Sequence, residues 1–284
     1  MRSALVFGAS GQIGRAVCQR LLAADWQVLG VSRTPQPEVA GMRWLQADLG
    51  SGLDAPQKVD AVISCGPLDL FARWYAEGNH ACARVIAFGS TSAVVKQDSS
   101  DPAERRLAQL LDDSEATLMA VAAGRGAAAT LLCPTLIYGA GRDQTLTRIA
   151  RMARRTRLFV LPRDANGLRQ PVHVQDLANA AVAVVDASAS HGRSYALPGG
   201  ETLPYAQMVE RVLASLQPRA RLIRVPAPLF SAVLSAARAL GKVQGLGDAA
   251  VARMRDDLVF DVGPAQRDFG YSPRAFKPTA DMFE

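Results

Sequence analysis

Seven residues near the start of the chain restrict it to a small set of folds. Residues 4–7 form a short apolar run, Gly8-Ala9-Ser10-Gly11-Gln12-Ile13-Gly14 follows, and Ile13, Val17, Leu21 and Leu22 then recur on one helical face. The pattern predicts a strand, a glycine-rich turn and a helix. Glycines spaced three and three apart permit a tight turn and close main-chain approach. The helix N-terminus adds unpaired N–H groups and the positive end of its dipole, which suit a pyrophosphate. Gly8, Ala9, Ser10, Gly11, Gln12, Ile13 and Gly14 are therefore the first candidates for a dinucleotide site.

Five further apolar strands are expected at 27–32, 42–46, 59–64, 84–89 and 129–132. Helical patterns fill several of the gaps, so a parallel sheet with right-handed crossovers is the economical topology. The helix before the sixth strand is well marked. Asp101 stands at its N-cap, Pro102 at its first position and Glu104 at its third, with Leu107, Leu110, Leu111, Leu118 and Val121 expected on the inward side. After Tyr138 the chain changes character. A basic helix is expected at 146–157 and a loop at 162–167, then a helix at 176–185 headed by Asp176 and a strand at 193–197. Helices follow at 204–216, capped by Thr202, and at 229–240 and 248–258. The expectation is an α/β protein: a doubly wound parallel sheet of the Rossmann type over residues 1–140, and a smaller mixed C-terminal lobe over 141–284, mainly for substrate, with some segments returning to the core.

The second strand bears on the choice of dinucleotide. In the NAD form of such a site an acidic residue about 20 positions downstream holds the ribose 2′-OH. Here the strand ends in Val31-Ser32-Arg33. A hydroxyl and a guanidinium stand where a carboxylate would repel the additional phosphate of NADP, so NADP is expected over NAD.

Composition narrows the function classes. With 49% hydrophobic and 20% charged residues and no low-complexity tract, the 284-residue chain is neither disordered nor collagen-like. No apolar stretch reaches the roughly 20 residues of a spanning helix, and no secretory signal is evident, so a cytoplasmic protein without an integral membrane segment is expected. Cys18, Cys65, Cys82 and Cys133 form no C-x-x-C pair, and the three histidines have no ligand-like spacing. Buried thiols and no metal site are expected. The net charge of +6 comes almost entirely from arginine, which suits a small polyanionic ligand better than nucleic acid.

Several later segments, read with the glycine loop, resemble the NAD-dependent epimerase/dehydratase family of the extended and atypical short-chain dehydrogenases/reductases. Gly8, Gly11 and Gly14 match its N-terminal glycines. Asp48-Leu49 looks like its adenine contact, and Ser64-Cys65-Gly66 resembles its small-residue turn beside the cofactor. Cys133-Pro134-Thr135-Leu136-Ile137-Tyr138-Gly139 is similar to R-P-x-x-x-Y-G with Cys133 in place of the arginine. His173-Val174-Gln175-Asp176-Leu177-Ala178 resembles H-V-x-D-x-A, and Phe269-Gly270-Tyr271-Ser272-Pro273 resembles L-G-Y-x-P. The resemblance implies cofactor contacts at Asp48, Leu49, Cys65, Gly66 and Pro134, and it implies an oxidoreductase or epimerase of the nucleotide-sugar epimerase type.

Catalysis in that family uses a Ser or Thr after strand five and a Tyr-x-x-x-Lys on the next helix, the lysine lowering the tyrosine pKa for proton exchange. By position Thr91 matches the hydroxyl residue, with Ser90 and Ser92 beside it. No tyrosine in the chain has a lysine four residues on: Asn79, Arg142, Gly199, Val209 and Ala275 occupy those places. Leu107 and Leu111 stand where the pair is expected. Tyr138, Lys96 and His173 are alternative proton-handling candidates, and Arg142, Arg163 and Arg169 are candidates for an anionic substrate group. Two functions are expected: an NADP(H)-binding oxidoreductase or epimerase acting on a small polar or nucleotide-linked substrate, or a dinucleotide-binding sensor or scaffold without turnover. The helix 229–240, apolar around most of its circumference, is expected to pack within its lobe, with a partner subunit or a membrane surface as the alternatives.

Overall fold

The computed structural model describes residues 1–50, 58–78, 81–239 and 248–284. The chain forms two compact units, and neither is continuous in sequence. The first comprises Met1–Thr135, Val174–Pro198 and Asp261–Pro273; the second comprises Leu136–His173, Gly199–Phe260 and Arg274–Glu284.

In the first unit the expected strands form as β1 (Ser3–Phe7), β2 (Gln27–Ser32), β3 (Met42–Gln46), β4 (Lys58–Ser64), β5 (Ala81–Phe88) and β6 (Ala128–Pro134). With Arg193–Leu197 they make a seven-stranded, wholly parallel sheet in the order Arg193–Leu197, β6, β5, β4, β1, β2, β3. Near-continuous burial along Ala4–Phe7 and Ala61–Ser64 reflects cover on both faces, the usual condition of parallel strands. The helices are α1 (Gln12–Ala23), α2 (Leu68–Glu77), α3 (Ser92–Val95) and α4 (Pro102–Gly124), to which Val174–Ala183 and Gly263–Phe269 are added from later in the chain. The Phe7 ring lies 4.4 Å from Trp74 and 5.5 Å from Phe71, centroid to centroid, so α2 is anchored beneath the middle of the sheet by aromatic packing.

Helix α4 starts as expected: Asp101 accepts the Ala103 N–H at 2.8 Å, and Pro102 opens the first turn. Its inward face differs. Leu107 and Leu110 are 39% and 45% exposed, and the buried line runs through Ala108, Ser114, Leu118 and Ala122. Small side chains on that line let the helix seat closely, which rotates the two leucines outward.

Arg84 is a buried cation within β5. Its guanidinium donates to the carbonyls of Val184 (2.7 Å) and Ala128 (2.7 Å) and to the hydroxyls of Thr130 (2.7 Å) and Ser190 (2.6 Å). Burial pulls its pKa down to about 10, and it stays charged at neutral pH. The residue thus binds the turn after Val174–Ala183 to two central strands.

The second unit is built from short pairs. Ile137–Tyr138 runs parallel to Val172–His173, Leu168–Arg169 antiparallel to Leu203–Pro204, and Leu158–Pro162 parallel to Arg221–Val225. Around them lie the helices Leu146–Thr156, Tyr205–Ser215, Ala227–Ala239 and Asp248–Ala252. Leu146, Ile149, Ala150 and Ala153 bury one face of the basic helix against Tyr138, Val209, Leu213, Phe276 and Phe283. Arg151 and Arg154 turn back to donate to the carbonyls of Gly141, Ala280 and Phe283. For the helix expected at 229–240, Leu240 lies outside the described residues.

Three expectations need correction. The helix Tyr205–Ser215 has Pro204 at its N-cap and no side-chain cap, so Thr202 does not serve. The helix expected over 248–258 ends at Ala252, because the carbonyls of Arg253, Met254 and Asp256 turn to Arg169 and Gly167. The helix expected at 176 begins at Val174 and places Asp176 inside its first turn.

Replacing Arg84 by Met leaves buried carbonyls and hydroxyls without their donor. The substitution should lower the unfolding free energy by roughly 3 kcal/mol. Urea denaturation reads this directly, and a loss under about 1 kcal/mol would contradict the role given to the guanidinium.

Candidate functional site

The turn between β1 and α1 is shaped by missing side chains. Gly8 has φ of +63°, and a Cβ there would stand 2.9 Å from the Cys65 carbonyl carbon and 3.0 Å from the Gly66 nitrogen. At Gly14 a Cβ would lie 2.1 Å from the Gly8 oxygen and 2.8 Å from the Ala9 Cα. The Gly11 N–H donates to the Gly8 carbonyl at 2.8 Å and closes the turn. Gly11 is also the N-cap of α1, with no side-chain hydrogen bond and no acidic residue in the first turn, so the positive end of the helix dipole is not neutralised locally. The Gln12 Oε1 is buried without a hydrogen-bond partner.

Around this turn the ends of four strands enclose a cavity of about 280 Å³. Gly8, Ser10 and Gly11 form one side. Ser32 and Arg33 come from the end of β2, Asp48 and Leu49 from beyond β3, and Cys65 and Gly66 from the end of β4. The position follows from topology: β1 has β2 on one side and β4 on the other, and in open α/β sheets ligands occupy the carboxyl-end crevice where the strand order reverses. Ser32 donates its hydroxyl to the Thr34 carbonyl (2.8 Å) and accepts the Thr34 N–H (3.3 Å), with the Ser10 Oγ 3.0 Å away. Arg33 is exposed at the rim, and Asp48 accepts the Gly50 N–H at 3.0 Å. Burial pushes the Cys65 thiol well above the ordinary range.

Beyond the cavity, the unit 1 candidates meet at the ends of β5 and β6. The Pro134 carbonyl accepts both the Thr91 hydroxyl (3.1 Å) and the Thr91 N–H (3.3 Å). Ser90 Oγ accepts the Ser92 N–H at 3.1 Å. Lys96 Nζ lies 3.6 Å from a Glu104 carboxylate oxygen, an ion pair within this unit.

The remaining candidates lie in the second unit. Tyr138 is fully buried, its ring edge-on to His173 (5.0 Å) and Phe276 (4.9 Å). Arg142 and Arg163 are exposed, whereas Arg169 is buried and donates to the carbonyls of Leu168, Asp256 and Arg253. Of these three arginines only Arg169 lines the cavity of about 300 Å³ in this unit. Arg148 and Arg253, which line it too, were not singled out in the sequence. Their only signal was membership in basic stretches shared with many surface arginines. Among the described residues no cluster of three or more His, Cys, Asp or Glu side chains is arranged for a metal ion, and no helix is long and apolar enough to cross a membrane.

The strand, glycine turn and strand-end cavity all fall within one stretch with known relatives. Residues 4–91 match the NAD dependent epimerase/dehydratase family. The match bears out the family resemblance carried by the glycine loop. The chain is 27% identical to the 2-alkyl-3-oxoalkanoate reductase of Stenotrophomonas maltophilia (strain K279a), with 95% of this chain and 94% of the reductase covered. It has the fold of an epimerase, Mth375, from Methanothermobacter thermautotrophicus, with a TM-score of 0.73 at 13% identity over 99% and 90% of the two chains. The UDP-glucuronic acid 4-epimerase of Bacillus cereus, solved with UDP-glucuronic acid and NAD, aligns at a TM-score of 0.71 and 14% identity over 99% and 96%. At such identities the structural likeness is one of fold, and it agrees with the doubly wound α/β architecture expected from the sequence.

The thiols are uniformly suppressed. Burial lifts Cys18 and Cys133 to about 12, and lifts Cys65 and Cys82 above their ordinary range. A raised pKa means less thiolate, so at pH 8 Cys18 and Cys133 are almost wholly protonated. Iodoacetamide at pH 8 should label the native protein far more slowly than free cysteine, and urea should remove the difference. Fast native labelling of Cys65 would contradict the raised pKa of its thiol beside the loop.

Proposed function

We propose that the first unit binds a nicotinamide dinucleotide at the turn between β1 and α1, and that the protein is an oxidoreductase of the reductase or epimerase type. The observation carrying this reading is the glycine turn itself. Gly8, Gly11 and Gly14 bring the main chain of residues 8–14 against the strand ends, and α1 has neither a side-chain cap nor an acid in its first turn. Such a turn holds a pyrophosphate through N–H groups and the helix dipole. Asp48 and Leu49 line the side toward β3, where the adenine sits in this reading. Cys65, Gly66 and Pro134 continue the cofactor contacts. Bound there, the dinucleotide supplies a hydride carrier.

Within this reading the preference is for NADP. No carboxylate stands at the end of β2, Ser32 keeps its hydroxyl on the Thr34 carbonyl, and Arg33 is exposed at the rim to meet a 2′-phosphate. The B. cereus epimerase was solved with NAD, which makes cofactor choice the sharpest test of this part.

Thr91 is the proposed hydroxyl contact for a substrate oxygen, with Ser90 beside it. In the resting arrangement Thr91 donates to the Pro134 carbonyl and offers its lone pairs, so it orients a substrate hydroxyl as an acceptor. Leu107 and Leu111 carry no proton, and Tyr138 is packed between His173 and Phe276. The engagement of Thr91 by Pro134 and the loss of the Tyr-x-x-x-Lys pair favour the second reading, a dinucleotide-responsive sensor or scaffold. The kinship to a reductase over 95% of the chain favours turnover, with a small-molecule substrate held by the second unit.

Fluorescence titration with NADPH and NADH should show tighter NADPH binding, and Arg33→Ala should weaken NADPH by about tenfold while leaving NADH unchanged. Equal affinities, or an unaffected variant, would overturn the NADP assignment. Failure to take up either nucleotide would overturn the site. If NADPH binds but is not oxidised across 3-oxo acids, ketones and nucleotide sugars, and Thr91→Val alters nothing, the sensor reading stands in place of the enzyme.

A further inference from the structure

The second unit contains a cavity whose lining is chemically one-sided. Arg148 on the helix Leu146–Thr156, Arg169 on its short strand, and Arg253 after the helix Asp248–Ala252 all line it, and among the described residues no acidic side chain does. Arg169 is held in place by the three main-chain carbonyls described above, and its Cζ lies 5.3 Å from the Tyr205 ring centroid. It therefore presents a fixed positive charge that needs no reorganisation to meet an anion. The rest of the wall is mostly apolar, with Met152, Phe159 and Met254 prominent and Gln144 and Thr145 near the start of the helix.

Polarity narrows the occupant. The cavity of about 300 Å³ has room for a short chain with a small charged head. The wall offers few uncharged hydrogen-bonding side chains for a base or a sugar. A short alkyl chain ending in a carboxylate fits both the volume and the polarity. We propose that this cavity seats a medium-chain carboxylate, its head among Arg148, Arg169 and Arg253 and its tail along Met152, Phe159 and Met254. This rests on the reading of the second unit as the substrate-holding part, and it names the substrate class as an amphipathic acid.

The test uses calorimetric titration of the full chain with octanoate, 1-octanol, inorganic phosphate and uridine diphosphate. Octanoate should bind at least about tenfold more tightly than each of the other three, since both the charge and the apolar tail contribute. Arg148→Gln should weaken octanoate by about tenfold. Met152→Trp, which fills the cavity, should abolish its binding. Both variants should keep the NADPH titration of the parent. Equal binding of octanoate and octanol, tighter binding of uridine diphosphate, or octanoate affinity unchanged in Arg148→Gln would each overturn the proposal. Arg148 is exposed, so that variant remains decisive if Met152→Trp fails to fold. Octanoate uptake lost with NADPH uptake intact defeats this proposal alone, and the reverse defeats only the dinucleotide reading.

Discussion

The carbonyl oxygen of Gly8 leaves no room for a side chain at residue 14, and the first unit is organised around that exclusion. Because α1 lies directly on the end of β1, its first turn points into the crevice where β1 and β4 part. Gly8 in turn lies against the backbone of Cys65 and Gly66, so the end of β4 closes on the same spot. Two close backbone approaches thus place a helix N-terminus, four strand ends and the half-buried Cys65 around one cavity. A methyl group at either glycine would meet backbone atoms, which cannot swing aside as the end of a flexible side chain can.

Much of this is legible in the sequence, because the determining contacts are local. The glycine spacing, the apolar runs of β1, β2 and β3 and the Asp101-Pro102 start of α4 are short-range signals. Each agrees with the structure to within a residue or two. The inward face of α4 differs because the hydrophobic pattern favours the leucines at 107 and 110 over the smaller residues at 108 and 114. Packing distance to the sheet selected the small ones. Arg84 was legible only as a polar residue at the start of a strand; its partners lie up to 106 positions away. Helix α2 and the strands Leu158–Pro162 and Arg221–Val225 also went unread, the last two because their pairing is long-range.

For the second unit, arginine content was a poor guide to which guanidinium matters. Arg151 belongs to the Gly141 carbonyl, Arg154 to main-chain carbonyls near the C-terminus, Arg211 to Glu201, and Arg255 to Asp164. These are tying roles, in which a long fork reaches carbonyls or carboxylates that a shorter cation would miss. Arg169 combines a tying role with a place on a cavity wall, and a sequence pattern cannot separate those two uses.

The discontinuity of the first unit bears on how the chain is born. Its terminal strand, Arg193–Leu197, pairs with β6 but lies some sixty residues further on, and the segment Asp261–Pro273 comes later still. During synthesis β6 therefore emerges with one row of hydrogen-bonding groups unmatched, and it keeps that raw edge while the intervening residues are being made. Until Arg193–Leu197 arrives, that edge is open to pairing with the wrong strand.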